Sequence, residues 1–87
     1  MNHTVVWLPA AERDLAELWL NSDQRDAITL ASQQLERLLR NDPNNEGEDR
    51  PHQRRILFEA PLGVIYRVLQ ADRVVIVLRV WSTARRT

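Results

Sequence analysis

Arg67 and Arg79 stand on two valine-rich runs, Val64-Ile65-Tyr66-Arg67-Val68 and Val74-Val75-Ile76-Val77-Leu78-Arg79-Val80-Trp81, and Arg85 and Arg86 follow close behind. A guanidinium is a planar fork of N–H donors that fits a carboxylate or a phosphate, and it stays charged at physiological pH. Arginines so placed bind anions; they do not move protons. Proton transfer would fall to His52, within Arg50-Pro51-His52-Gln53-Arg54-Arg55, or to Glu59, an acid set among arginines. Each of these residues also has a plainer reading. His52 suits a surface loop, and Glu59 suits an ion pair with Arg67 or Arg79. The strand arginines could simply be solvated charges that keep a sheet from aggregating, and Arg85-Arg86 a solvated basic end.

The rest of the inventory narrows the chemistry. The chain has no cysteine, which removes disulfides, thiolate nucleophiles and cysteine zinc sites, and His3 and His52 stand at no chelating spacing. No metal and no cofactor are expected. A length of 87 residues, 44% hydrophobic and 28% charged, suits one globular domain over 1–87 rather than a disordered segment. The start, MNHTVVWLPAAERD, lacks the basic and apolar regions of a secretory leader, and no apolar run approaches membrane-spanning length. A cytoplasmic protein with no membrane partner is expected.

The zero net charge hides a division. Residues 1–49 hold four arginines against ten acids, a balance of −6, and residues 50–87 hold eight against two, a balance of +6. A split of this kind suggests a surface for an acidic chain or a nucleic acid. All the basic residues are arginine, which GC-rich coding explains equally well.

The elements that must position these residues read as follows. His3 to Leu8 is β-prone and stops at Pro9, which in turn suits a first helical turn. Ala11, Leu15, Leu18 and Trp19 recur at helical spacing. After the polar Asn21-Ser22-Asp23, a second helix lines up Ile28, Ala31, Leu35, Leu38 and Leu39, and two such helices joined by a short link form a hairpin. Asn41 to Pro51 is turn-rich and reads as a loop. Arg54–Ala60, Leu62–Gln70 and Arg73–Trp81 then follow with links too short for anything but antiparallel neighbours. The expected fold is α+β: an N-terminal strand, a helical hairpin and a three-stranded antiparallel meander, β-α-α-β-β-β, with the helices on one face of a small curved sheet.

Alternation assigns the faces. Val74, Ile76, Leu78 and Val80, with Val64, Tyr66 and Val68, should pack on the helices. The other face then combines Arg67 and Arg79 with Ile65, Val75, Val77 and Trp81, too apolar to stand bare in water. It is expected to be a binding surface, with Trp81 as an aromatic contact anchor. Trp7, Trp19 and Tyr66 have the spacing of core residues.

Taken together, Trp7, Pro9-Ala10, Asp14-Leu15, Arg55-Ile56-Leu57, Pro61-Leu62-Gly63-Val64-Ile65-Tyr66-Arg67-Val68 and Val77-Leu78-Arg79-Val80-Trp81 resemble the RelE/ParE toxin superfamily over roughly residues 4–86. The resemblance implies a toxin of a type II toxin–antitoxin system and a cognate antitoxin as partner. RelE-like members cut messenger RNA in the ribosome. Their phosphate-gripping arginine falls at Gly63 here, and their late histidine or tyrosine at Ser82-Thr83, so the ribonuclease residues are missing. ParE-like members, the plasmid-stabilisation type, act on DNA gyrase, and Arg79-Val80-Trp81-Ser82-Thr83-Ala84-Arg85 is similar to their closing segment. Departures at Ser82 and Arg86 leave that match incomplete. The ParE-like reading is preferred. The alternatives are a RelE-like mRNA endoribonuclease with a non-standard site built on His52, Glu59, Arg67 and Arg79, or a non-toxic family member acting as a binding module; a homodimer is left open.

Overall fold

Strand β1 (Thr4–Trp7) leads into helix α1 (Pro9–Leu20) at Pro9, whose missing N–H costs nothing in a first turn. Helix α2 (Arg25–Asn41) follows a short link in which Ser22 Oγ accepts the Gln24 N–H at 2.8 Å. Its stripe of Ile28, Ala31, Leu35 and Leu39 is fully packed, as the spacing predicts. Strands β2 (Glu48–Arg50), β3 (Arg54–Glu59), β4 (Leu62–Leu69) and β5 (Val74–Ser82) complete the chain. The computed structural model describes residues 2–84, so the candidate Arg85, with Arg86, lies outside the described residues.

The strands form one sheet in the order β1-β5-β4-β3-β2. The last four run antiparallel to their neighbours, and β1 pairs parallel with the first half of β5. The expected meander is therefore present, with one short strand more. β2 was hidden by its turn-rich surroundings: all three of its residues are exposed, so it carries no apolar alternation.

The helices pack on the side carrying Leu57, Leu62, Val64, Tyr66, Val75, Val77 and Val80, and these close a core with Ala11, Ile28, Ala31, Leu35 and Leu39. Each large apolar side chain so buried contributes about 1.5–3 kcal/mol. Tyr66 also anchors the loop between α2 and β2. Its hydroxyl, with one proton to give, stands between the carbonyls of Pro43 (2.9 Å) and Glu46 (2.7 Å), while Arg55 donates to those of Glu46 (2.9 Å) and Gly47 (3.1 Å). Gly47 holds φ at +71°, and a side chain there would run into the Ile56 carbonyl. Burial pushes the Tyr66 phenol above the usual tyrosine range.

One face assignment is corrected. Val75 and Val77 are fully buried on the helix side, and Val74 and Ile76 point the other way. The cause is a β-bulge: Tyr66 pairs with Val77 but Ile65 pairs with Arg79, leaving Leu78 as the extra residue. Past the bulge the parity flips, so Val80 faces the core and Arg79 and Trp81 face outward, as expected. Val74 to Leu78 is apolar at every position, and an unbroken apolar run carries no parity of its own.

Candidate functional site

The sheet side away from the helices is built from Ile56 and Phe58 of β3, Gly63, Ile65 and Arg67 of β4, and Ile76, Arg79 and Trp81 of β5, paired across the strands. Among the described residues no helix or strand covers it. Three rows cross the strands. At one end Phe58, Gly63 and Trp81 are register partners. The Trp81 indole fills the space above Gly63, where an added Cβ would stand 2.7 Å from the ring, and it meets the Phe58 ring edge-on with centroids 6.1 Å apart. Phe58 is 55% exposed. The middle row is Glu48, Ile56, Ile65 and Arg79. The last runs from Arg50 through Arg54 and Arg67 to Ile76.

This surface keeps Ile65, Arg67 and Trp81 from the sequence-based set and loses Val75 and Val77 to the core. It gains Ile56, Phe58, Ile76, Arg54 and Arg50. Phe58 and Ile56 were legible in principle, as alternate positions of β3 directly opposite Gly63 and Ile65.

Arg79 proves to be committed internally. Its Nε and Nη2 donate to the two carboxylate oxygens of Asp14, at 2.7 and 2.9 Å. The Val80 N–H donates to the same carboxylate at 3.0 Å. The reason is topological. β1 pairs only with Val74 to Val77, so the far half of β5 is a free sheet edge, and α1 lays Asp14 along it. The Arg79 guanidinium, foremost by hydrogen bonding, holds the Asp14 carboxyl below the ordinary carboxylate value. The expected ion pair of Glu59 with Arg67 or Arg79 is thus replaced: Arg79 takes Asp14, and Glu59 is in no ion pair among the described residues.

The two candidate proton-transfer groups do not meet. His52 sits on the exposed tip between β2 and β3, with φ at +64°, and Glu59 ends β3 on its helix-facing side. A strand's length separates them, roughly 20 Å. No group of metal-ligating side chains occurs among the described residues.

A second concavity, of about 590 Å³, opens between α1 and α2 and is lined by Trp7, Leu15, Trp19, Leu20, Ile28 and Glu36 among others. Trp7 Nε1 donates to Glu36 Oε1 at 3.1 Å. Trp19, expected in the core, is 40% exposed on this groove, where Arg25 stacks 4.7 Å from its ring. Among the described residues no helix is long and apolar enough to cross a membrane.

Residues 5–87 match the family of ParE toxins of type II toxin–antitoxin systems, parDE. No curated protein matches the sequence. Among solved structures, the RelBE2 toxin–antitoxin complex from Mycobacterium tuberculosis contains a chain that superposes with a TM-score of 0.78 at 20% identity, over 94% of this chain and 99% of that one. The chromosomal ParDE system from P. aeruginosa follows with a TM-score of 0.70 at 17% identity, covering 94% and 97%. The intact E. coli RelBE complex gives 0.64 at 16% identity, covering 97% and 99%. At identities this low the likeness establishes a shared fold.

Proposed function

The chain belongs to the ParE toxins of type II toxin–antitoxin systems, and from that membership we propose a toxin that acts by binding a protein target rather than by cutting RNA, with the bare sheet face as its working surface. The observation that carries this reading is the Trp81 indole lying over Gly63. Where a nuclease of this superfamily needs an arginine, the chain has no side chain, and an aromatic ring fills the room. Around it stand Ile56, Phe58, Ile65, Arg67 and Ile76, none of which exchanges a proton near neutral pH. His52 and Glu59 are too far apart to act on one phosphodiester. Partly buried isoleucines and an exposed phenylalanine are what a protein-binding patch offers.

The target in this reading is DNA gyrase, on which ParE-like toxins act, and the site of action is the cytoplasm. A cognate antitoxin would silence the toxin by covering the same face. The test is induction in bacteria while plasmid supercoiling and messenger RNA are followed separately. Supercoiling should change first with messenger RNA intact, and Ile65→Asp or Phe58→Asp should remove the effect in a protein that still folds. Codon-linked RNA cleavage that disappears in His52→Ala would transfer the function to the ribonuclease alternative. Unaffected growth would leave a non-toxic binding module.

A further inference from the structure

Arg54 and Arg67 stand directly opposite each other on β3 and β4, on the uncovered side of the sheet. Like charges in that relation destabilise a sheet, so the pair is a cost to folding that no ion pair among the described residues offsets. Among the described residues neither arginine is in an ion pair. The other arginines of the face are already engaged. Arg50, opposite Arg54 on β2, donates to Glu48 Oε2 at 3.0 Å, and Arg79 is held at both ends by Asp14. Arg67 carries a second mark: its Nε is buried and has no hydrogen-bond partner. A buried donor without an acceptor is an unfavourable state, which turning the guanidinium outward onto a bound anion would relieve.

The neighbours decide what kind of anion fits. Ile76 lies beside Arg67 across β5, and Ile56 and Ile65 occupy the next row along the same strands. A ligand seated here must be apolar within one pleat repeat, about 7 Å, of its charge. Trp81, turned onto Gly63 and packed at right angles to Phe58, offers no free ring face, which leaves the exposed Phe58 as a single ring rather than a row of stacking platforms. That disfavours a nucleic-acid strand, whose bases need free ring faces, and favours a peptide in which acidic and apolar side chains are interspersed.

Resting on the reading that a protein partner covers this face, we infer that Arg54 and Arg67 are its anion-binding pair, taking the carboxylates of an acidic segment whose apolar residues settle on Ile56, Ile65 and Ile76. Arg79, the more obvious candidate in the sequence, has its counter-ion supplied from within and contributes little.

The experiment titrates the full chain with a short capped peptide alternating glutamate and leucine, and in parallel with a short oligouridylate, at fixed salt. Arg54→Gln and Arg67→Gln should each weaken peptide binding by about tenfold or more, as expected for loss of a charge-assisted hydrogen bond. Arg79→Gln and the helix control Arg13→Gln should change it by less than about twofold. The same two strand substitutions should leave the thermal midpoint of the free protein unchanged or raised, because they remove a repulsion; a lowered midpoint would show the arginines to be structural and end the proposal. Equal losses from Arg79→Gln and Arg67→Gln, no peptide binding to the parent chain, or tighter Arg54- and Arg67-dependent binding of the oligouridylate would each overturn it. If Phe58→Ala weakens the peptide while Arg54→Gln and Arg67→Gln do not, the protein-binding face stands and only the arginine pair falls. If none of these substitutions matters, the face itself is not the binding surface.

Discussion

Replacing Gly63 by alanine adds a single methyl group, and the structure places that group 2.7 Å from Cε2 and Nε1 of Trp81 and 2.9 Å from Cζ2. Ordinary contact begins near 3.4 Å, so the indole must retreat by about 0.7 Å or swing away altogether. Retreat is blocked on one side by Phe58, whose ring meets it edge-on. Overpacking of this order costs about 1–3 kcal/mol, and losing the aromatic pair costs a further ~0.5–1.5 kcal/mol. Against this, alanine restricts the unfolded chain and suits a strand better than glycine, by about 0.5–1 kcal/mol. The balance is a net destabilisation of about 1–3 kcal/mol. For a chain of this size each kilocalorie moves the midpoint by about 4–8 °C, so Gly63→Ala should melt roughly 5–20 °C below the parent. Thermal unfolding by circular dichroism reads the midpoint, and the near-ultraviolet band reports whether the Phe58–Trp81 pair survives. The decisive control is Trp81→Ala: in that background the three closest contacts of the methyl group are gone, and Gly63→Ala should turn neutral or stabilising. An unshifted midpoint in the single variant, with the aromatic band intact, would show that the indole does not lie over Gly63. The steric case against a nuclease arginine at this position would go with it.

Two other outcomes follow from the same structure. Val77→Ala should cost about 1–3 kcal/mol in chemical denaturation, because its side chain is fully buried, whereas Ile76→Ala on the opposite face should cost clearly less; the reverse order would mean that the bulge at Leu78 is misplaced. The Asp14 carboxyl, held low by Arg79, sheds protons more readily in the folded than in the unfolded chain, so its contribution is complete above the ordinary carboxylate value of about 4 and is lost as the pH falls through its lower folded value. Midpoints of the parent and Asp14→Asn should therefore differ most at neutral pH and converge in acid, and curves that stay parallel down to the acid limit would refute the linkage.

Much of the architecture is legible in local pattern. Pro9 marks the strand-to-helix step, and Ile28, Ala31, Leu35 and Leu39 repeat at a helical period. The short links after Ala60 and Gln70 force antiparallel pairing. β2 escapes notice because a fully exposed three-residue edge strand has no apolar signature. Trp19 is misplaced for a related reason: helical spacing shows that it lies near the apolar side of α1 but not that α2 leaves a groove beside it.

The candidate surface divides along the same line. From residues alone come the family, the helix-pair-on-sheet fold, the crowding of arginine into the C-terminal half, and Ile65, Arg67 and Trp81 as outward-facing groups. Each depends on composition or on neighbours a few positions apart. Tertiary structure alone decided that Val75 and Val77 are core, because one extra residue in β5 reverses a parity that an unbroken apolar run cannot announce. It also decided which arginine is free. Asp14 and Arg79 are 65 positions apart and meet only because α1 runs along the open edge of β5, while Arg54 and Arg67 become neighbours only once β3 and β4 pair. Charges act through space, and sequence separation does not measure that distance.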